Sequence, residues 1–129
     1  MEIKTHLLAH KPTLGTPVDV VDGEYAIVKL AVIENMIVDE KGLVHGGFAF
    51  GLADYAAMLA VNDPNVVLGG ADARFTAPVK RGDIMVAKAV VGEANRNKRL
   101  VHVEVKVDEK TVLTGDFNCY ILEKHVLDS

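Results

Sequence analysis

Gly46-Gly47-Phe48-Ala49-Phe50-Gly51-Leu52-Ala53-Asp54-Tyr55-Ala56-Ala57-Met58-Leu59-Ala60-Val61-Asn62 decides the fold. The segment is rich in Ala, Leu and Met, poor in β-branched residues, and stops at Asn62-Asp63-Pro64, which predicts a helix over 46–62. Its length is roughly 25 Å at 1.5 Å per residue. It is apolar nearly all round, so it belongs inside the protein rather than on its surface. Ala49, Gly51, Ala53, Ala56, Ala57 and Ala60 are small and would let strands or another helix approach closely.

The sequence downstream changes period. Leu100-Val101-His102-Val103-Glu104-Val105-Lys106-Val107 alternates strictly, the signature of a half-buried antiparallel strand with its valines on one face and His102, Glu104 and Lys106 on the other. Asp108-Glu109-Lys110 reads as a turn into a strand over 111–122, with Leu113, Phe117, Cys119 and Ile121 on one face. Segment 83–91 is β-branched and apolar, and 92–98 reads as a polar loop joining it to the 100–107 strand. Segments 66–77 and 25–34 also read as strands, cut off by Pro78/Gly82 and by Asp22-Gly23. One long buried helix followed by four antiparallel strands predicts an α+β fold with a sheet wrapped around that helix.

Composition bounds the function. The 129 residues fit one domain, 1–129, able to bury roughly two thirds of the unfolded surface. Half the residues are hydrophobic and a quarter charged, a globular balance. A net charge of −4 argues against a nucleic-acid binder working through a basic surface. No apolar run reaches the roughly 20 residues of a membrane span, and residues 1–6 have no signal-peptide core. The single cysteine, Cys119, leaves no internal disulfide and no multi-cysteine metal site. The expectation is a cytoplasmic protein with no membrane and no nucleic acid among its partners.

Asp54 is the one charged residue of the helix. A carboxylate there is costly to bury unless paired, hydrogen-bonded, protonated or doing chemistry. Capping a neighbouring loop or pairing with His45 are the plainer alternatives. At the helix start, Leu43-Val44-His45-Gly46-Gly47 puts two glycines where backbone can approach a ligand, beside free N–H groups and the positive end of the helix dipole. Such an end can polarise a carbonyl or hold an oxyanion. Gly46 and Asp54 lie eight residues apart, about 12 Å along a helix, so one helix cannot bring both to one carbonyl. Two antiparallel copies crossing at a two-fold axis could, which makes an active site here at least dimeric. His6 and His10 stand at i,i+4, a metal-like spacing, but no third ligand accompanies them. Cys119, on the inferred apolar face, reads as core rather than nucleophile.

His45-Gly46-Gly47-Phe48, then Leu52-Ala53-Asp54, then Phe75-Thr76-Ala77-Pro78-Val79-Lys80-Arg81-Gly82-Asp83 resembles the hotdog-fold acyl-CoA thioesterases, and within them the phenylacetate-pathway (PaaI-like) subgroup. The resemblance spans roughly residues 25–122. It implies a long helix wrapped by an antiparallel sheet, a homodimer joined sheet edge to sheet edge, and often a dimer of dimers. It implies hydrolysis of an acyl-CoA thioester with no metal and no cofactor beyond the coenzyme A of the substrate. Asp54 matches the family's general base or nucleophile, Gly46 the backbone donor to the carbonyl with Gly47 beside it, and His45 the residue that orients the site. Thr76 could reach the site as relatives' Ser/Thr residues do, and Lys80, Arg81 and Arg99, on expected loops, could meet coenzyme A phosphates. Many relatives carry an Asn-x-x-Gly-x-x-His-Gly-Gly string; here Asp39 stands where the Asn would be, with Gly42 in place. An ionised Asp accepts hydrogen bonds but cannot donate them, and a second carboxylate near Asp54 would raise one of the two pKa values. Asp39 therefore keeps a non-catalytic acyl-CoA binding or regulatory protein open as the alternative. A regulator of that kind would need a separate protein partner. The hotdog dehydratases fit less well, for no matching His-plus-acid string is present.

Overall fold

A computed structural model describes residues 1–128, so Ser129, the last residue of the expected 1–129 domain, lies outside the described residues. The chain runs α1 (Lys11–Leu14), β1 (Thr16–Val21), β2 (Tyr25–Ala31), a 3-10 turn (Glu34–Met36), α2 (Gly46–Val61), β3 (Val66–Phe75), β4 (Ile84–Asn95), β5 (Lys98–Val107) and β6 (Lys110–Ile121). The six strands form one sheet in the order β1-β2-β4-β5-β6-β3, every neighbouring pair antiparallel. β1 and β3 are its edges. No described helix is long and apolar enough to cross a membrane.

The helix lies against one face of the sheet, which is the expected arrangement. Leu52, Met58 and Leu59 are fully buried, a transfer worth roughly 5–9 kcal/mol in all. Ala53, Ala56, Ala57 and Ala60 are buried among them and keep the helix close to the strands. The facing strand residues follow the two-residue period: Val101, Val103 and Val105 on β5 are buried while His102 is exposed, and Leu113, Phe117 and Cys119 on β6 are buried. Asn62 closes the helix in a left-handed conformation (φ 55°, ψ 41°), its N–H bonded to the Met58 carbonyl at 2.8 Å, a role Asn tolerates well.

One expectation is corrected, and two features lie beyond what the sequence disclosed. Segment 92–98 is not a loop: β4 continues to Asn95 and β5 begins at Lys98, leaving a two-residue turn. This hairpin end is exposed on both faces and carries a register shift between Val91 and Ala94, so nothing in it needs to alternate. β1 is not legible in the sequence, because an edge strand with Pro17 and a register shift at Pro17/Asp19 has no clean pattern. Finally, the segment from His6 to His10 is not helical. His6 has φ 54° and its carbonyl accepts the Ala9 N–H at 3.1 Å, while the two rings bond different side chains, His6 Nδ1 with Thr5 Oγ1 at 2.8 Å and His10 Nδ1 with Thr13 Oγ1 at 2.9 Å.

Candidate active site

The start of α2 is held by a small framework of loop strands. Ile37 bridges Val44 and Leu43 bridges Lys80. The Val44 N–H donates to Val79 O at 2.9 Å, the Arg81 N–H to Gly42 O at 2.9 Å, and the His45 N–H to Met36 O at 3.1 Å. Within this framework Asp39 is exposed, and its Oδ1 accepts the N–H groups of Lys41 and Leu43, both at 3.0 Å. Asp39 thus shapes the tight 39–43 turn, where Gly42 takes φ 86°.

His45 is the helix N-cap, with extended backbone (φ −62°, ψ 132°) and no side-chain cap bond. Its ring is exposed and stands edge-on to Phe48, centroids 6.4 Å apart. Its carbonyl takes the Phe48 N–H at 3.1 Å, but among the described residues no acceptor takes the N–H of Gly46 or Gly47. These two donors sit at the positive end of the helix. Gly46 is close-packed: a Cβ there would lie 3.1 Å from Cε1 of Phe75. Beside it opens a cavity of about 440 Å³ walled mainly by Leu43, Val44, Ala49, Phe75, Val79 and Val112, with His45, Gly46 and Thr76 on its lining.

Asp54 is not part of that cavity. It is half-buried two turns further along α2, and none of the hydrogen bonds formed by the described residues reaches it. Burial pushes its carboxyl above the ordinary range. It lies close enough to Cys119 for its charge to add to burial, which together push that thiol up to about 12; Cys119 is fully buried and inert. Gly47 is exposed and Phe50, Gly51 and Asp54 are half-buried, whereas Leu52, Ala53 and residues 55–61 are buried. The open stripe 47–50–51–54 runs along one side of the helix. Asp54 therefore does not pair with His45 within the chain.

The remaining candidates are dispersed. Thr76 lines the cavity, but its Oγ1 donates to Thr111 O at 2.7 Å. Lys80 pairs with Asp83 at 3.3 Å, and Arg81 grips Glu34 through Nε at 2.7 Å and Nη2 at 3.0 Å. Both flank the helix start with their charges already engaged. Arg99 is at the opposite end: its Nη1 donates to Arg96 O at 2.7 Å and Lys98 O at 3.0 Å, in a cleft shared with Asn62 and Asp63. Leu43, Val79 and Val112 are cavity walls that sequence reasoning does not single out, since in sequence they are ordinary apolar residues brought together only by the fold.

A family model described as the thioesterase superfamily matches residues 41–114, more than half of the chain. The chain belongs to the thioesterase superfamily. The matched span contains the helix start, Asp54 and the cavity walls. Among solved structures, this thioesterase-superfamily chain is 58% identical to an uncharacterised protein from Pyrococcus horikoshii, with a TM-score of 0.97 and 99% and 98% of the two chains covered. It is 28% identical to a variant of the phenylacetic acid degradation protein PaaI from Thermus thermophilus, with a TM-score of 0.77 over 87% of this chain and 97% of that one. The hotdog fold and the resemblance to PaaI-like thioesterases are thereby established. Among curated relatives, a methylthioribose-1-phosphate isomerase from Aquifex aeolicus is 51% identical over 91% of this chain but only 25% of its own length. A transcription factor FapR from Caldanaerobacter subterraneus subsp. tengcongensis is 32% identical over 98% of this chain and 62% of its own. The chain spans a quarter of the first and about three fifths of the second, so the activities their names state belong to those longer proteins.

Proposed function

We propose that the protein hydrolyses an acyl-CoA thioester to a free acid and coenzyme A, at a site shared by two antiparallel copies. The observation that carries this reading is the pairing, on one helix, of two features that find no partner among the described residues: the Gly46 and Gly47 N–H groups beside an apolar cavity, and a half-buried Asp54 on the helix's open stripe. The thioester carbonyl oxygen accepts the Gly46 and Gly47 amides of one copy, and His45 flanks them. Asp54 of the other copy takes a proton from water as the oxygen bonds to the carbonyl carbon, or attacks that carbon itself. The C–S bond then breaks and the thiolate leaves with the electron pair, protonated from Asp54 where Asp54 acted as base and from solvent where it attacked. In the second case water cleaves the mixed anhydride left on Asp54 to give the free acid and the carboxylate. A thiolate leaves with little prior protonation, so carbonyl polarisation and water activation are the main demands. Burial supports the role of Asp54, because a raised pKa makes its ionised form a stronger base.

The test is thiol release from short-, medium- and long-chain and aryl acyl-CoAs by the native protein and by Asp54→Asn. Hydrolysis that falls by two or more orders of magnitude in the variant supports the assignment. Binding without hydrolysis by the native protein overturns it in favour of the second reading, a non-catalytic acyl-CoA binding or regulatory protein. That reading draws on the likeness to the FapR transcription factor and on Asp39, whose carboxylate can only accept.

A further inference from the structure

β3 is an edge strand bonded, among the described residues, only to β6, and each of its two ends carries exposed apolar surface. Beside Val66, a cleft is lined by Thr5, His6 and Val126, and the residues next to them in the chain, Leu7, Leu8 and Leu127, are exposed, Leu8 by 99%. The 6–9 turn is held in place: Asn62 Oδ1 accepts the Lys4 N–H at 2.8 Å, Asn62 Nδ2 donates to Glu2 O at 2.7 Å, and the His6 ring lies 6.4 Å from Tyr55 on α2. An anchored turn with an outward leucine is not a frayed terminus. At the other end stands Phe75, 57% exposed, forming the outer wall of the cavity beside Gly46.

These two ends are complementary under a two-fold axis. When β3 pairs antiparallel with a second β3, the axis is perpendicular to the sheet, so Val66 of one copy meets Phe75 of the other and both helices stay on the same face. The 6–9 turn lies on the α2 side, as His6 against Tyr55 shows, and so does the cavity. We propose that Leu7 and Leu8 of one copy close the Phe75 side of the other copy's cavity and set its preference for uncharged apolar acyl chains. The inference rests on the hydrolase reading for the identity of the ligand. The cavity lining supports the class of acyl group: it contains no Lys or Arg to meet a distal carboxylate, and the nearby Lys80 and Arg81 are paired with Asp83 and Glu34.

The geometry is tested without reference to activity. β3 spans ten residues, about 30 Å from end to end, so a short bis-maleimide cannot join Leu8 to Phe75 within one chain, and Cys119 is buried. The double variant Leu8→Cys/Phe75→Cys is expected to give a covalent dimer, whereas either single variant, whose like residues lie about 30 Å apart across the paired strands, gives none. No covalent dimer from the double variant, or equal yields from a single one, overturns the proposal. Leu8→Asp should then raise KM for octanoyl-CoA relative to acetyl-CoA at least tenfold, with Leu8→Met restoring the native ratio; an unchanged ratio overturns the specificity role. A native protein that cross-links as expected but hydrolyses nothing refutes the hydrolase reading alone. One that hydrolyses acyl-CoA but does not cross-link refutes the closure alone.

Discussion

Replacing Gly46 by proline removes one N–H group and little else. Gly46 is the first helical residue, a position that accepts proline because its N–H has no partner in the helix. The preceding residue, His45, already has φ −62° and ψ 132°, the extended conformation that proline demands of its neighbour. The added ring meets Phe75, whose Cε1 would lie 3.1 Å from a Cβ, and that exposed ring can give way. Unfolding should therefore stay within about 4 °C of native, the shift that roughly 1 kcal/mol produces in a domain of this size. If the Gly46 amide holds the developing oxyanion, its loss costs about 2.7–4 kcal/mol, a fall of 10²–10³ in kcat. KM should change little, because the bond strengthens in the transition state. Initial rates of thiol release and thermal unfolding read both numbers. Gly46→Ala makes the same contact with Phe75 but keeps the N–H, so it should retain activity within about tenfold of native. A proline variant within fivefold of native, or an alanine variant that falls as far as proline, would refute the oxyanion assignment.

The carboxyl of Asp54 is raised by burial, so kcat/KM should fall with decreasing pH along a limb centred above the ordinary carboxylate pKa; a limb at or below that value would contradict the base role. A raised acid also destabilises the fold as pH rises from its unfolded to its folded pKa. Asp54→Asn should accordingly melt higher than native at neutral pH, by about 4 °C for each kcal/mol of desolvation relieved. Asp39→Asn keeps the Oδ1 acceptor for Lys41 and Leu43 and adds an amide donor; steady-state kinetics should show a gain of up to about tenfold in kcat/KM, the worth of one hydrogen bond. Gly115→Ala would put a Cβ 2.7 Å from Asp72 O and 2.9 Å from Ala73 Cα, forcing β3 away from β6. Denaturant unfolding should register a loss of about 1–3 kcal/mol.

What the sequence disclosed follows from where burial imposes a period. The strict alternation of 100–107 and the all-round apolarity of 46–62 are dictated by a sheet with one covered face and a helix covered nearly all round, and both elements lie where that patterning puts them. The hairpin end at 92–98 is free of that constraint, and the edge strand β1 buries only Val20, with Pro17 and a register shift interrupting its pattern, so both resemble loops. The site divides the same way. Gly46, Gly47 and Asp54 are legible because glycines at a helix start and a charge inside an apolar helix are local anomalies. The cavity walls Leu43, Val79 and Val112 are not, since they come from three separate segments. Nor is the task of Asp39, which depends on the path of the 39–43 turn, or the distance of Arg99 from the helix start, which depends on where the β4–β5 hairpin ends.

Complementation between two inactive variants tests the shared site most directly. Gly46→Pro and Asp54→Asn copies are unfolded together in equal amounts, refolded, and assayed for thiol release from the best acyl-CoA substrate. Random pairing makes about half the dimers mixed, and in each mixed dimer one site carries both lesions and the other neither. Recovery of about a quarter of native activity is expected. Activity no higher than the mean of the two variants alone, in a sample shown to contain mixed dimers, would contradict the shared site.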